Sequence, residues 1–171
     1  MKKSLGLLAT LAICSFTASP AFSQSPSDGV TGKVEITAPA QAVWDAVHHE
    51  RQSDPDITYS KVVEQKGNRV LLEQKFNSIP VVGAATCLLV QEETPLKRID
   101  YKMVRSDKFK EMWGSWELAE SPSGITLSLH SVLDTGLPYA QSVTNQFLKS
   151  KIDARLARVK TAAEGLAQKA H

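Results

Sequence analysis

The sequence predicts an α+β domain in which a curved antiparallel sheet of about seven strands wraps a long C-terminal helix. Three observations carry this. Between Leu137 and Leu166, the residues Gln141, Asn145, Leu148, Ile152, Leu156, Val159, Ala163 and Leu166 recur at steps of three or four, which keeps them on one side of a helix. Between residues 57 and 133 the chain breaks into six strand-like runs bounded by turn signals. The connections between those runs are too short for parallel crossovers, so the strands pair antiparallel and the helices gather on one side. A helix gripping a curved sheet leaves a hollow between them, and hollows bind ligands.

The chain opens with Met1-Lys2-Lys3, a short apolar run from Leu5 to Ile13, and then Ser19, Pro20, Ala21, Phe22 and Ser23. Two lysines, a short apolar core and small residues before Gln24 predict a signal peptide over residues 1–23, cleaved near Ser23. The expected location is therefore periplasmic or secreted. The apolar run is too short to span a bilayer, which takes about 20 residues. Lipid attachment at Cys14 is disfavoured because Ile13 is bulky where that signal takes a small residue. Cleavage removes Lys2 and Lys3 from a chain of 20 basic and 18 acidic side chains, leaving the two signs equal. A neutral chain has no general electrostatic basis for binding nucleic acid. Cys87 is then the only cysteine, so no internal disulfide is expected.

Residues 24–29 read as a flexible leader to a single domain over 30–167. Val30 to Thr37 alternates weakly and ends at Ala38-Pro39, where proline suits the first turn of a helix. Pro39 to His48 places Val43, Trp44 and Val47 on one face, and Glu50 to Asp56 reads as a polar loop. Ile57 to Gln65 and Arg69 to Asn77 flank Lys66-Gly67-Asn68, a hairpin signal. Val82 to Glu93 is long and apolar, its start kept slender by Gly83, Ala84 and Ala85. Lys97 to Arg105 aligns Ile99, Tyr101 and Met103. Lys108 to Ala119 aligns Met112, Gly114, Trp116 and Leu118, which turns Trp113 to the opposite face. The last run alternates Ile125, Leu127, Leu129 and Leu133 with Thr126, Ser128 and His130.

Three stretches carry a family resemblance. Ile36-Thr37-Ala38-Pro39-Ala40-Gln41-Ala42-Val43-Trp44 resembles the opening of the START-related SRPBCC superfamily. Gly114-Ser115-Trp116-Glu117-Leu118 followed by Gly124-Ile125-Thr126-Leu127 resembles its paired late strands. Leu137-Pro138 with Val143, Thr144 and Asn145 resembles the lead-in to its final helix, in exported members near the polyketide cyclase/dehydrase and coenzyme Q-binding branch. The resemblance implies the helix-grip fold and a cavity for a hydrophobic ligand. The same fold hosts enzymes, carriers and other binders.

Catalytic and metal motifs are sparse. His48 and His49 are adjacent on a helix and point about 100° apart, so with Glu50 and Asp54 they read as a solvated helix end and not a metal site. Cys87 sits in an apolar strand, where a thiol stays protonated. Glu92 and Glu93 are strand neighbours facing opposite ways. No nucleophile, base and acid are placed together by motif, and no cofactor signature is present. Arg105 at its strand end reads as a rim residue. Lys151, Arg155, Arg158 and Lys169 form a basic strip on the last helix, read as a solvated flank or, alternatively, a weak dock on an anionic membrane surface.

The expected pocket joins Gln141, Asn145, Leu148 and Ile152 of the final helix to Phe76, Tyr101, Met103, Trp116 and Leu129 of the sheet. A buried amide without partners costs about 1–3 kcal/mol, so Gln141 and Asn145 must bond either the preceding loop or a ligand. The expected function is an exported binding protein for a lipid, quinone or polyketide-like molecule. The alternatives are a cyclase/aromatase-type enzyme using the same cavity, or a protein-interaction module with a filled core.

Overall fold

A computed structural model describes residues 29–79, 82–137 and 141–169. The expected leader over residues 1–23 lies outside the described residues. The elements run β1 (Val30–Ile36), α1 (Ala40–Ser53), β2 (Ile57–Lys66), β3 (Arg69–Ile79), β4 (Gly83–Thr94), β5 (Arg98–Ser106), β6 (Glu111–Ser121), β7 (Gly124–Asp134) and α2 (Gln141–Lys169). This is the predicted order. The seven strands form one sheet in the order β1-β7-β6-β5-β4-β3-β2, every neighbouring pair antiparallel.

The topology follows from two kinds of connection. From β2 onward each strand turns straight back on its predecessor, so the sheet grows one hairpin at a time until β7 meets β1. Only the β1-to-β2 link crosses from one edge to the other, and α1 makes that crossing. Register shifts interrupt the β2–β3 pairing between Val62 and Glu64, and the β4–β5 pairing at Leu88 and Leu89. Such irregularities bend and twist the strands, which gives the sheet its concave face.

Strand β7 alternates between buried and half-buried residues along most of its length, as its sequence predicted. Strand β2 differs: almost every residue is exposed on both faces, because it forms the free edge beyond the reach of α2. Helix α1 runs on to Ser53, past the expected break at Glu50. Val43, Ala46, Val47 and Glu50 are its buried residues. The sequence reading put Glu50 in a solvated loop, and the structure corrects that.

Helix α2 lies over β1 and β7 and against α1. Its buried row is Thr144, Leu148, Ile152, Leu156, Val159 and Ala163. At the first turn the buried position is Thr144, while Asn145 beside it is half-buried. At the far end Leu166 is 45% exposed, and Ala167 takes the packed position in its place. Steps of three and four rotate a helix in opposite directions, so a row read from sequence can drift by one residue at each end. Gly32 on β1 lets the helix settle. A Cβ there would stand 2.5 Å from Ile152 Cγ2 and 2.8 Å from Leu156 Cδ1.

Candidate functional site

The apolar interior is divided in two. One cluster lies under α1 and the latter part of α2, and includes Ile36, Val47, Leu127, Ile152 and Leu156. The other spans β3, β4 and the ends of β6 and β7, and includes Leu72, Leu89, Phe109, Met112 and Leu148. Tyr101 packs against both. A void of about 100 Å³, open at its mouth, lies between sheet and helix where the two meet. Leu89, Met112, Trp116, Leu129 and Leu133 form its floor. Phe76 and Ile79 close the β3 end, and Phe147 and Leu148 project from α2.

A polar band crosses this apolar floor. Gln91 on β4 pairs in register with Tyr101 on β5, Tyr101 with Gly114 on β6, and Gly114 with Ser131 on β7. Tyr101 reaches over Gly114 and donates from its hydroxyl to Ser131 Oγ at 2.9 Å. The missing side chain makes this possible, since a Cβ on Gly114 would meet the Tyr101 hydroxyl at 2.4 Å and the His130 carbonyl oxygen at 2.2 Å. Burial pushes the Tyr101 phenol above its usual pKa, with the Ser131 hydrogen bond acting the other way. Gln74 and Gln91 are both 4% exposed and line the void. Gln74 Nε2 donates to Ser60 Oγ at 3.2 Å. Gln91 Oε1 accepts from Arg51 Nη1.

Arg51 enters from the last turn of α1. Its Nη2 donates to Glu93 Oε1 at 3.1 Å, and His48 Nε2 stands 3.2 Å from the other oxygen of Glu93. Burial pulls the guanidinium below its usual pKa, and Glu93 works against that. Arg51 Nε is sealed from solvent and has no hydrogen-bond partner among the described residues. An unmet buried donor of this kind costs about 1–3 kcal/mol.

One side of the mouth is a ladder of ion pairs joining α1 and its following loop to α2. Arg158 holds Glu50 through two nitrogens, Nε at 3.0 Å and Nη2 at 2.5 Å from Oε1. Arg155 Nε donates to Asp54 Oδ2 at 2.6 Å, and Lys151 Nζ to Asp56 Oδ1 at 2.5 Å. The hydrogen bond to Glu50 is the main reason the Arg158 guanidinium sits above its usual pKa. Glu50 and Asp54 are thus buried and paired. Three of the four cations in the basic strip pair with acids of their own chain.

The expected pocket residues divide as follows. Phe76, Tyr101, Trp116, Leu129 and Leu148 line the void. Ile152 lies off it, pressed onto Gly32 of β1. Met103 is half-buried behind Leu89, its partner in register, and does not reach the wall. Asn145 is half-buried on the flank of the Thr144 row, also away from the wall. Helix α2 begins at Gln141, whose side chain lies outside the described residues, as do 138–140.

Other expectations meet the structure directly. Trp116 faces inward at 5% exposure, and Trp113 meets His130 on the outer face with ring centroids 5.2 Å apart and planes tilted by 47°. His130 Nδ1 lies 2.8 Å from Thr31 Oγ1. Arg105 is exposed. Cys87 is buried, its Sγ donating to Ser106 Oγ at 3.3 Å, and burial raises its thiol pKa. Among the described residues no group of three or more His, Cys, Asp or Glu is placed to hold a metal ion. Sequence reasoning missed Arg51, Gln74, Gln91 and Ser131, although Gly114 in mid-strand signals a close approach.

The fold recurs in solved structures. A protein from Thermus thermophilus superposes with a TM-score of 0.62 at 15% identity, over 83% of this chain and 98% of the other. The two-domain aromatase/cyclase StfQ of the steffimycin biosynthetic pathway gives 0.70 at 14%, over 82% of this chain and 52% of that one. A START superfamily protein from Mycobacterium smegmatis gives 0.59 at 15%, over 84% and 99%. At these identities the likeness is one of fold, the helix-grip architecture of the START and SRPBCC proteins. No curated protein matches the chain by sequence. Residues 28–164 match a family described as polyketide cyclase/dehydrase and lipid transport, and the chain belongs to that family.

Proposed function

We propose that the protein is an exported carrier that encloses a hydrophobic small molecule between its sheet and α2. The observation that carries this is the void itself, with a floor of apolar side chains from β3, β4, β6, β7 and α2, a polar band across that floor, and a charged wall where α1 and its following loop meet α2. Removing about 300 Å² of ligand surface from water yields about 7 kcal/mol at 25 cal/mol per Å². Immobilising the ligand costs about 4–15 kcal/mol, so the guest is large or has a polar anchor. Export rests on the leader sequence from Met1 to Ser23.

The test uses protein expressed with its leader in a host that exports it. The mature chain should appear outside the cytoplasm with a mass that begins near Gln24. Organic extraction should release a small molecule that rebinds the emptied protein and is recovered unchanged after incubation. Conversion of that molecule to a cyclised or dehydrated product would replace the carrier reading with the enzyme one. Purification with a stable protein partner and no extractable guest would favour the interaction module.

A further inference from the structure

The two edges of the sheet are unequal. At one edge α2 lies over β1, Lys160 Nζ donates to the Glu35 carbonyl oxygen at 2.6 Å, and Glu164 Oε1 accepts from Thr37 N at 3.1 Å. At the other edge β2 is uncovered, and every residue from Thr58 to Lys66 is exposed. Tyr59, Val62 and Val63 are large apolar side chains that meet solvent there. Aromatic and β-branched residues of this kind favour a paired strand. Thr58 and Val63 also have no residue opposite them on β3. A free strand edge is a row of unpaired N–H and C=O groups, a template for another strand. Because α2 guards β1, β2 of one copy finds no open β1 on the next, so the chain does not build an open filament. The match left for this edge is β2 of a second copy, related by a two-fold axis that closes the pair.

We propose that two copies of this chain pair antiparallel through β2, about a two-fold axis at Val62. Rungs of an antiparallel ladder alternate between hydrogen-bonded and non-hydrogen-bonded pairs, so the axis must pass through a rung and set one residue opposite itself. In the ten-residue strand Ile57–Lys66, two such registers share the longest overlap, one through Lys61 and one through Val62. The Lys61 register brings two ammonium groups directly opposite, which is unfavourable. The Val62 register sets Lys61 opposite Val63, Ser60 opposite Glu64 and Tyr59 opposite Gln65, with no like charges face to face. Edge lysines guard against unwanted pairing. Here Lys61 excludes one register and fits the other, its alkyl stem lying along Val63 of the second copy. The contact is about 30 Å long and one strand wide, at the small end of specific interfaces, so the pair forms at micromolar rather than nanomolar protein.

Sedimentation velocity tests this on protein prepared as for the guest extraction. The wild type should pass from monomer to dimer between about 5 µM and about 500 µM. Val62→Lys and Val62→Glu each set like charges on the axis and should weaken self-association about tenfold or more. An equimolar mixture of the two variants sets Lys opposite Glu, and should dimerise at least as well as the wild type. Val62 is exposed, so both variants should keep the wild-type melting temperature. Hydrogen exchange reads the same contact without any variant, since amides of β2 should gain protection in the concentrated wild type and those of β1 should not. A wild type that stays monomeric over this range would overturn the proposal and leave the edge to an extended segment of another protein. Self-association that Val62→Lys does not weaken, or a variant mixture that stays monomeric, would overturn it as well. The pairing involves no residue of the cavity wall, so each of these failures leaves the carrier reading standing.

Discussion

Arg155 on α2 and Asp54 at the end of α1 are 101 residues apart in sequence, yet Arg155 Nε donates to Asp54 Oδ2 at 2.6 Å, with the Asp54 side chain 2% exposed. Arg158 Nη2 approaches the other carboxylate oxygen at 3.4 Å. The two helices are fastened there by charge. Removing one partner of a buried pair leaves an uncompensated charge. Arg155→Met should cost about 3 kcal/mol in urea unfolding. Arg155→Met with Asp54→Leu should recover much of that loss, because the orphaned carboxylate is gone. If the double variant loses the full sum of the two single changes, the residues are not coupled.

Gly32 and Ile152 set how close α2 comes to the sheet. Gly32→Ala pushes a methyl into Ile152 Cγ2 and Leu156 Cδ1, and should destabilise by about 1–3 kcal/mol through overpacking. Ile152→Ala alone should cost about 2–5 kcal/mol. Together they should cost less than their sum, since the alanine at 32 enters space vacated at 152. Strict additivity would show that the helix does not rest on Gly32.

His130 gives the fold a pH dependence with a defined sign. Burial, and then Arg98, hold its imidazole below the usual value of 6.5. The unfolded chain therefore binds more protons than the folded one just below 6.5. Stability contributed by neutral His130 is complete above 6.5 and is lost as pH falls through that window toward the folded value. Melting temperatures at about pH 7.5 and about pH 5.5 should differ more for the wild type than for His130→Gln. Equal differences would remove His130 as the source.

Leu96 occupies the left-handed region, with φ of 61°, in the turn that Lys97 N closes on Thr94 O at 3.0 Å. Proline before it and a positive φ at its own position are the geometry of a turn that favours glycine. Leu96 is also 39% exposed, so little packing is lost on removal. Leu96→Gly should raise the unfolding free energy by up to about 1 kcal/mol. A loss of stability instead would mean that the side chain packs better than its exposure indicates.

Local period made the fold readable. Alternation located the strands, and the rows Leu148-Ile152-Leu156-Val159-Ala163 and Val43-Val47 located the helical faces that pack. It also turned Trp116, Leu129 and Phe76 toward the cavity. The charged half of the site escaped because its partners are remote. Glu50 and Asp54 continue the Val43–Val47 row at steps of three and four, but an acid in such a row is read as exposed until a cation is known to face it. That cation lies on the other helix. Glu93 shares its face with Gln91, and this shared face could have joined it to Arg51. Thr144 and Asn145 are separated only by a step of four against a step of three before Leu148, which sequence period does not resolve.

Leu89 lies at the middle of the cavity floor, 2% exposed to solvent and facing the void. Leu89→Trp should fill that space and leave no room for a guest. Native mass spectra would be recorded for wild type and variant, each exported with its leader and then equilibrated with an extract of host lipids. The wild-type chain should carry one added small molecule and Leu89→Trp none, with melting temperatures within a few degrees of each other. An identical adduct on both proteins, or none on either, would contradict a ligand held between the sheet and α2.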